Sequence, residues 1–222
     1  MSIPMITPYG MPVTDELPEC RVDWRVDPRR AVVLIHDMQN YFVDFFAPGT
    51  SPRTDLVDNS DEVRRTAIDV GVPVVYTAQP GNMTREQRGL LLDVWGPGMG
   101  DEPQQRAIVG ELTPRAEDTV LTKWRYSAFA RSDLEGIMLR GGRDQLVICG
   151  VYAHVGCLMT ACDAFTKDIQ PFVVADAMAD FSAEYHRMAL EYMAERCARL
   201  LTTDELVRGL EKSDHGLGAA AR

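Results

Sequence analysis

The stretch Asp144–Phe165, DQLVICGVYAHVGCLMTACDAF, decides the fold. It begins as an unbroken apolar run, passes a small-residue junction at Gly156 and Cys157, and continues as a helix. A strand that is apolar at every position, rather than at alternate ones, is one buried on both faces, as in a parallel sheet. Five more runs of this kind follow one another along the chain: AVVLIHD (31–37), PVVYTA (73–78), TVLTKW (119–124), QPFVVADA (170–177) and RLLTTD (199–204). Each has the length of an ordinary strand, and they lie too far apart for hairpins.

Helical patterns fill the intervals. Leu56, Val63, Ala67 and Val70 fall on one face of a stretch starting near Arg53. RSDLEGIMLRGG (131–142) closes on glycines, a good helix stop. Met188, Tyr192, Arg196 and Leu200 recur at every fourth position. Strand–helix alternation with right-handed crossovers predicts a three-layer, doubly wound α/β fold on a parallel sheet of about six strands. One domain over residues 1–210 is expected, with residues 211–222 as a flexible tail.

The net charge of −10 argues against a nucleic-acid partner, which leaves a basic footprint. It also means that an anionic substrate must be met by a local basic pocket. Five cysteines without regular spacing make no disulfide framework, and neither a CxxC nor an HExxH pattern is present. The Pro-rich N-terminal stretch has no apolar run suited to a signal peptide or a membrane span. A reduced, soluble, cytoplasmic protein is expected, without membrane contact, metal or cofactor.

Open α/β sheets bind ligands outside the carboxyl ends of their strands. Those ends offer His36, Asp37, Gln79, Lys123, Tyr152, Gly156 and Cys157, and the long segment from Pro80 to Pro103 adds Arg88 and Trp95. Asp37 closes the most apolar strand, where desolvation raises a carboxyl pKa and suits it to general-acid work; a structural hydrogen bond at the turn is the alternative. Lys123 could bind a substrate anion, or favour the Asp37 carboxylate if it approaches. The Arg88 guanidinium suits a carboxylate. Trp95 and Tyr152 could wall an apolar pocket. His36 should point to the opposite strand face from Asp37, in a core role. Cys157, at a helix start, is placed where a dipole can stabilise a thiolate.

The segments LIHDMQNYFV, VVYTAQPG, RGLLLDVWGPGM, LTKWRYSAF, GVYAHVGC and VADAMADFS, in this order, resemble the isochorismatases of the isochorismatase-like hydrolase superfamily. The resemblance runs from Ile3 to about Leu206. It is greatest to the siderophore-pathway isochorismatases and to the phenazine-pathway enzyme that hydrolyses aminodeoxyisochorismate. Amidohydrolases of the same superfamily use an Asp, Lys and Cys triad, with the cysteine six residues after the glycine that ends the fourth strand. Counted from Gly150, that position is Gly156, and Cys157 is one residue late. One residue on a helix turns a side chain by about 100°, so Cys157 should point away from Asp37 and Lys123.

The resemblance implies hydrolysis of the vinyl ether of isochorismate to pyruvate and 2,3-dihydro-2,3-dihydroxybenzoate, without a covalent intermediate. Asp37 would be the general acid. Lys123 and Arg88 would orient a dianionic substrate, with Gln79 as a polar clamp. Tyr152, Trp95 and Phe42 would shape the pocket, and Gly156 would leave room for the enolpyruvyl group and offer its N–H. The 2-amino analogue of isochorismate is the alternative substrate. A homodimer is expected from the family, and the chain is too short for an aryl carrier domain. Two other readings stay open: an amidohydrolase using Cys157, which iodoacetamide or Cys157→Ala would inactivate, and a scaffold without turnover.

Overall fold

The structure is a computed structural model describing residues 3–219, with side chains as far as Lys212. Its strands are β1 (Ala31–His36), β2 (Val74–Ala78), β3 (Thr119–Thr122), β4 (Gln145–Val151), β5 (Gln170–Ala179) and β6 (Arg199–Leu201). They form one six-stranded sheet in the order β3-β2-β1-β4-β5-β6. Every neighbouring pair is parallel. After β1 the chain winds outward to β3, then returns to lay β4 on the other side of β1. The carboxyl ends of β1 and β4 therefore flank a crevice at the switch in winding.

The helices are α1 (Asn40–Val43), α2 (Arg53–Asp69), α3 (Arg85–Arg88), α4 (Leu91–Trp95), α5 (Pro103–Arg106), α6 (Leu134–Arg140), α7 (Leu158–Thr166), α8 (Ala183–Arg196) and α9 (Thr203–Ala219). α2 buries Leu56, Ser60, Val63 and Ala67, a stripe spaced for a helix face. It stops at Val70, followed by Gly71 at φ 73°, the left-handed position that glycine fills best. α2 and α9 pack on one face of the sheet, against Val33 and Ile35 of β1 and Val147 and Cys149 of β4. α6, α7 and α8 pack on the other, against Val32 and Leu34 of β1 and Leu146 and Ile148 of β4. Adjacent residues of β1 and β4 thus enter different cores, which is why both strands are apolar apart from the terminal His36 and Gln145. Burying a side chain such as Ile148 stabilises the fold by about 1.5–3 kcal/mol.

Three details depart from expectation. β3 is an edge strand whose burial alternates, and Val120 remains 49% exposed. α8 buries His186, Ala189, Leu190, Met193 and Ala194, whereas Met188 and Tyr192 face outward. Large apolar side chains thus stand on both sides of this helix, Leu190 and Met193 inward and Met188 and Tyr192 outward, so size did not mark the buried face. α9 continues to Ala219, past the expected domain end at residue 210; residues 220–222 of the expected tail lie outside the described residues.

Candidate active site

β1 ends at His36, and Asp37 adopts φ 51°, sparsely populated for a residue with a side chain. The kink breaks the strand alternation that would have separated the two side chains. His36 Nδ1 lies 3.9 Å from Asp37 Oδ2. His36 is fully buried, as a core role requires. Burial pushes its pKa down to about 4, so the ring is neutral near pH 7. Nδ1 donates its proton to the Val151 carbonyl at 2.8 Å.

Asp37 is 5% exposed and Lys123 3%. Lys123 Nζ donates to Asp37 Oδ2 at 3.1 Å. Thr77 Oγ1, from β2, donates to Asp37 Oδ1 at 2.6 Å and accepts from the Asp37 N–H at 3.1 Å. Burial alone would raise the Asp37 pKa, but the Lys123 charge and the hydrogen bonds outweigh it and hold the carboxyl below its ordinary range. This corrects the expectation of a carboxyl kept protonated by desolvation: the free protein holds a carboxylate.

A second polar cluster closes the cleft. Gln39 accepts from the Gln79 N–H at 2.7 Å and donates to the carbonyls of Gln79 and Arg106 at 3.0 and 2.8 Å. Thr84 and Gln87 form a capping box that winds α3 and so places Arg88. Arg88 is 6% exposed; it donates to Gln79 Oε1 at 3.1 Å and to the Gly96 carbonyl at 3.0 Å. Trp95 Nε1 donates to the Tyr126 hydroxyl at 2.7 Å. Tyr152 donates to the Phe42 carbonyl at 2.7 Å, and its ring centre lies 4.5 Å from that of Phe181.

These parts line one cleft at the carboxyl ends of the strands. Asp37, Phe42, Gln79, Arg88, Trp95, Lys123, Tyr152 and Gly156 all line it, whereas His36 and Cys157, the other strand-end candidates, do not. Lys123, Arg88 and Arg125 oppose the single Asp37 carboxylate there, which supplies the basic pocket that an acidic protein needs for an anion. Thr77, Tyr126 and Phe181 were missed. Thr77 and Tyr126 stand within the strand-end segments VVYTAQPG and LTKWRYSAF, and Phe181 within VADAMADFS, so proximity to a strand end was the available signal.

Two further positions bear on the nucleophile. Cys157 is fully buried in the α6–α8 core and does not line the cleft. Burial first, and then the Asp37 charge, push its pKa well above the ordinary thiol value. Residues Ala153–Cys157 form a π-helical turn that runs into α7, with Cys157 as its N-cap; the thiol sits at a helix start as expected, but burial outweighs any help from the dipole. Gly156 does line the cleft, but it leaves no empty volume beside its Cα. A Cβ there would collide with Cε1 of His36 and lie 2.8 Å from Nε2. The space expected for substrate on that side is filled by imidazole.

A buried carboxylate–ammonium pair at a sheet switch point, under a basic and aromatic cleft, defines a class of α/β enzyme acting on a small molecule. The family model described as Isochorismatase domain matches residues 31–205. The chain is 54% identical over 213 residues to the isochorismatase of Bacillus subtilis, covering 96% of this chain and 68% of that protein. It is 55% identical over 205 residues to the phenazine biosynthesis protein PhzD of Pseudomonas fluorescens, covering 92% and 98%. To enterobactin synthase component B of Escherichia coli K12 it is 49% identical over 207 residues, covering 93% and 73%. Among solved structures, a cysteine hydrolase from Pseudomonas syringae superposes with a TM-score of 0.78 at 22% identity, covering 88% of this chain and 98% of that one; it shows the shared fold. The chain belongs to the isochorismatase family of hydrolases.

Proposed function

We propose that the protein hydrolyses the vinyl ether of isochorismate, releasing pyruvate and 2,3-dihydro-2,3-dihydroxybenzoate, with Asp37 as general acid. The observation that carries this reading is the buried Asp37–Lys123 pair in a cleft with no thiol on its wall. A vinyl ether needs a proton on its terminal methylene carbon, and an acyl-type nucleophile contributes nothing to that step. Arg88 and Lys123 take the substrate carboxylates. Once a carboxylate shares the Lys123 charge, Asp37 loses part of what held its pKa down and takes up a proton. Asp37 then protonates the methylene carbon, giving an oxocarbenium ion. Water adds to that ion and returns a proton to Asp37. The hemiketal collapses to pyruvate and the ring alcohol, so the net consumption is one water. A positioned acid contributes about 10² to 10⁴ in rate.

The segments HDMQNYFVDFF and HVGC favour isochorismate over its 2-amino analogue, whereas identities of 54% to the Bacillus subtilis isochorismatase and 55% to PhzD do not separate the two. The test is parallel incubation with both compounds, with pyruvate and ring product measured. Faster pyruvate release from isochorismate is expected. Release from the amino compound alone would reassign the substrate, and release from neither would remove the reading. A cytoplasmic homodimer is part of the same proposal, and light scattering checks its mass.

A further inference from the structure

Gly150 and Gly156 bracket His36. A Cβ on Gly150, which sits at φ 114°, would strike the His36 backbone carbonyl, and a Cβ on Gly156 would strike the ring. The same ring donates from Nδ1 to the carbonyl of Val151. His36 therefore touches both ends of the turn Val151–Gly156, whose Tyr152 and Gly156 line the cleft. The Cβ direction at position 156 points at the ring, not into the cleft. A methyl group there would reach the substrate only by first displacing His36 or the turn.

We propose that His36 is a positioning residue for the ether-cleaving site: its imidazole fills the space a side chain at position 156 would need. Histidine before the acid and glycine at 156 then form one size-matched couple that keeps a covalent nucleophile out and holds the turn in register. Cys157 cannot take that part, because it is buried in the α6–α8 core. This inference deepens the proposed function and rests on its reading that no thiol adduct forms. A chain with a small residue at 36 and cysteine at 156 would have the opposite partition of the same volume.

The test is a double-mutant cycle in the full chain, read by melting temperature and by pyruvate release. Gly156→Ala alone should lower both Tm and kcat/KM. His36→Asn keeps an amide N–H for the Val151 carbonyl and removes the ring edge that the methyl group meets. In the His36→Asn background, Gly156→Ala should cost about tenfold less in kcat/KM than in the wild type, with a smaller fall in Tm, as expected for residues in contact. His36→Val serves as a second background and should give the same sign of coupling. Equal losses from Gly156→Ala in all three backgrounds would overturn the proposal, because a methyl group that blocks substrate directly is not relieved by shrinking residue 36. Tm coupling needs no substrate. It therefore stands or falls separately from the catalytic reading, which is tested at Asp37.

Discussion

At the amino ends of the strands, Arg30 meets Asp144 through two hydrogen bonds of 2.7 Å, with the side chains 41% and 52% exposed. At the carboxyl ends, Lys123 meets Asp37 at 3.1 Å with the side chains 3% and 7% exposed. The first pair sits among ordinary fastenings. Gln145 donates to Gln170 Oε1 and to the Arg25 carbonyl, and Arg143 donates to the carbonyls of Pro28 and Ala31. The second sits on irregular backbone, with Asp37 at φ 51° and a register shift between Ile148 and Gly150 where β4 meets β5. Solvent screens the first pair, which contributes about 0.2–1 kcal/mol. The second has lost its hydration, so its charge coupling is spent offsetting desolvation rather than on stability. What the proposed reaction asks of the buried pair instead is a protonation state that an arriving anion can change. An aspartate paired with a basic side chain makes a fastening at one end of the sheet and, in the proposed reaction, a proton device at the other.

Lys123→Ala breaks this contrast most severely among the supporting residues. Breaking a buried charge pair costs about 3–5 kcal/mol of stability; separately, the proposed substrate carboxylate and Asp37 both lose their cation, so kcat/KM for isochorismate should fall by about 10²-fold or more. The Asp37 pKa in that variant should rise, because the charge that depressed it is gone. A loss of under about threefold would remove Lys123 from the site.

The pH profile of the unmodified protein sharpens the comparison. A carboxyl held below its ordinary range is ionised in the free enzyme near neutrality. The acid-competent fraction therefore falls about tenfold for each pH unit, and kcat/KM, which reports the free enzyme, should fall with rising pH. The turnover number reports the complex, where a bound carboxylate shares Lys123, so its decline should begin at higher pH. Profiles in which both quantities rise with pH would assign the acid elsewhere. The sign for stability is opposite: a depressed carboxyl favours the fold above its unfolded value and loses that contribution as pH falls through the folded value.

Arg30→Ala at the other end of the sheet gives the smallest effect. It should lower stability by no more than about 1 kcal/mol and leave pyruvate release unchanged. A large loss of activity would show that the two ends are not separate.

Much of this contrast was legible in the sequence. The six strands announced themselves because β1, β2, β4 and β5 are buried nearly throughout, and the strand ends with the segment after β2 supplied the predicted cleft residues apart from Phe42, which came from the resemblance. The edge strand β3 was found by its Val and Thr content although one side of it is exposed. The face of α8 was not legible, because its buried stripe mixes His186 and two alanines with Leu190 and Met193 while Met188 and Tyr192 point outward. The direction of His36 was misread because alternation holds only while backbone dihedrals stay extended, and Asp37 leaves that region. The charge state of Asp37 depends on Thr77 and Lys123, which lie 40 and 86 positions away in the chain. No local pattern weighs desolvation against partners so distant. Gly156 was recognised as the missing nucleophile, but its filled neighbourhood depends on a ring from another strand.

The central claim is that Asp37 delivers the proton. Asp37→Asn keeps the shape and can still accept from Lys123, so a folded variant can be compared directly with the wild type, with Asp37→Ala beside it. The measurement is pyruvate released from isochorismate by each protein after its fold has been checked by circular dichroism. The account predicts a folded Asp37→Asn protein that is slower by about 10² to 10⁴-fold. Turnover close to that of the wild type would contradict it.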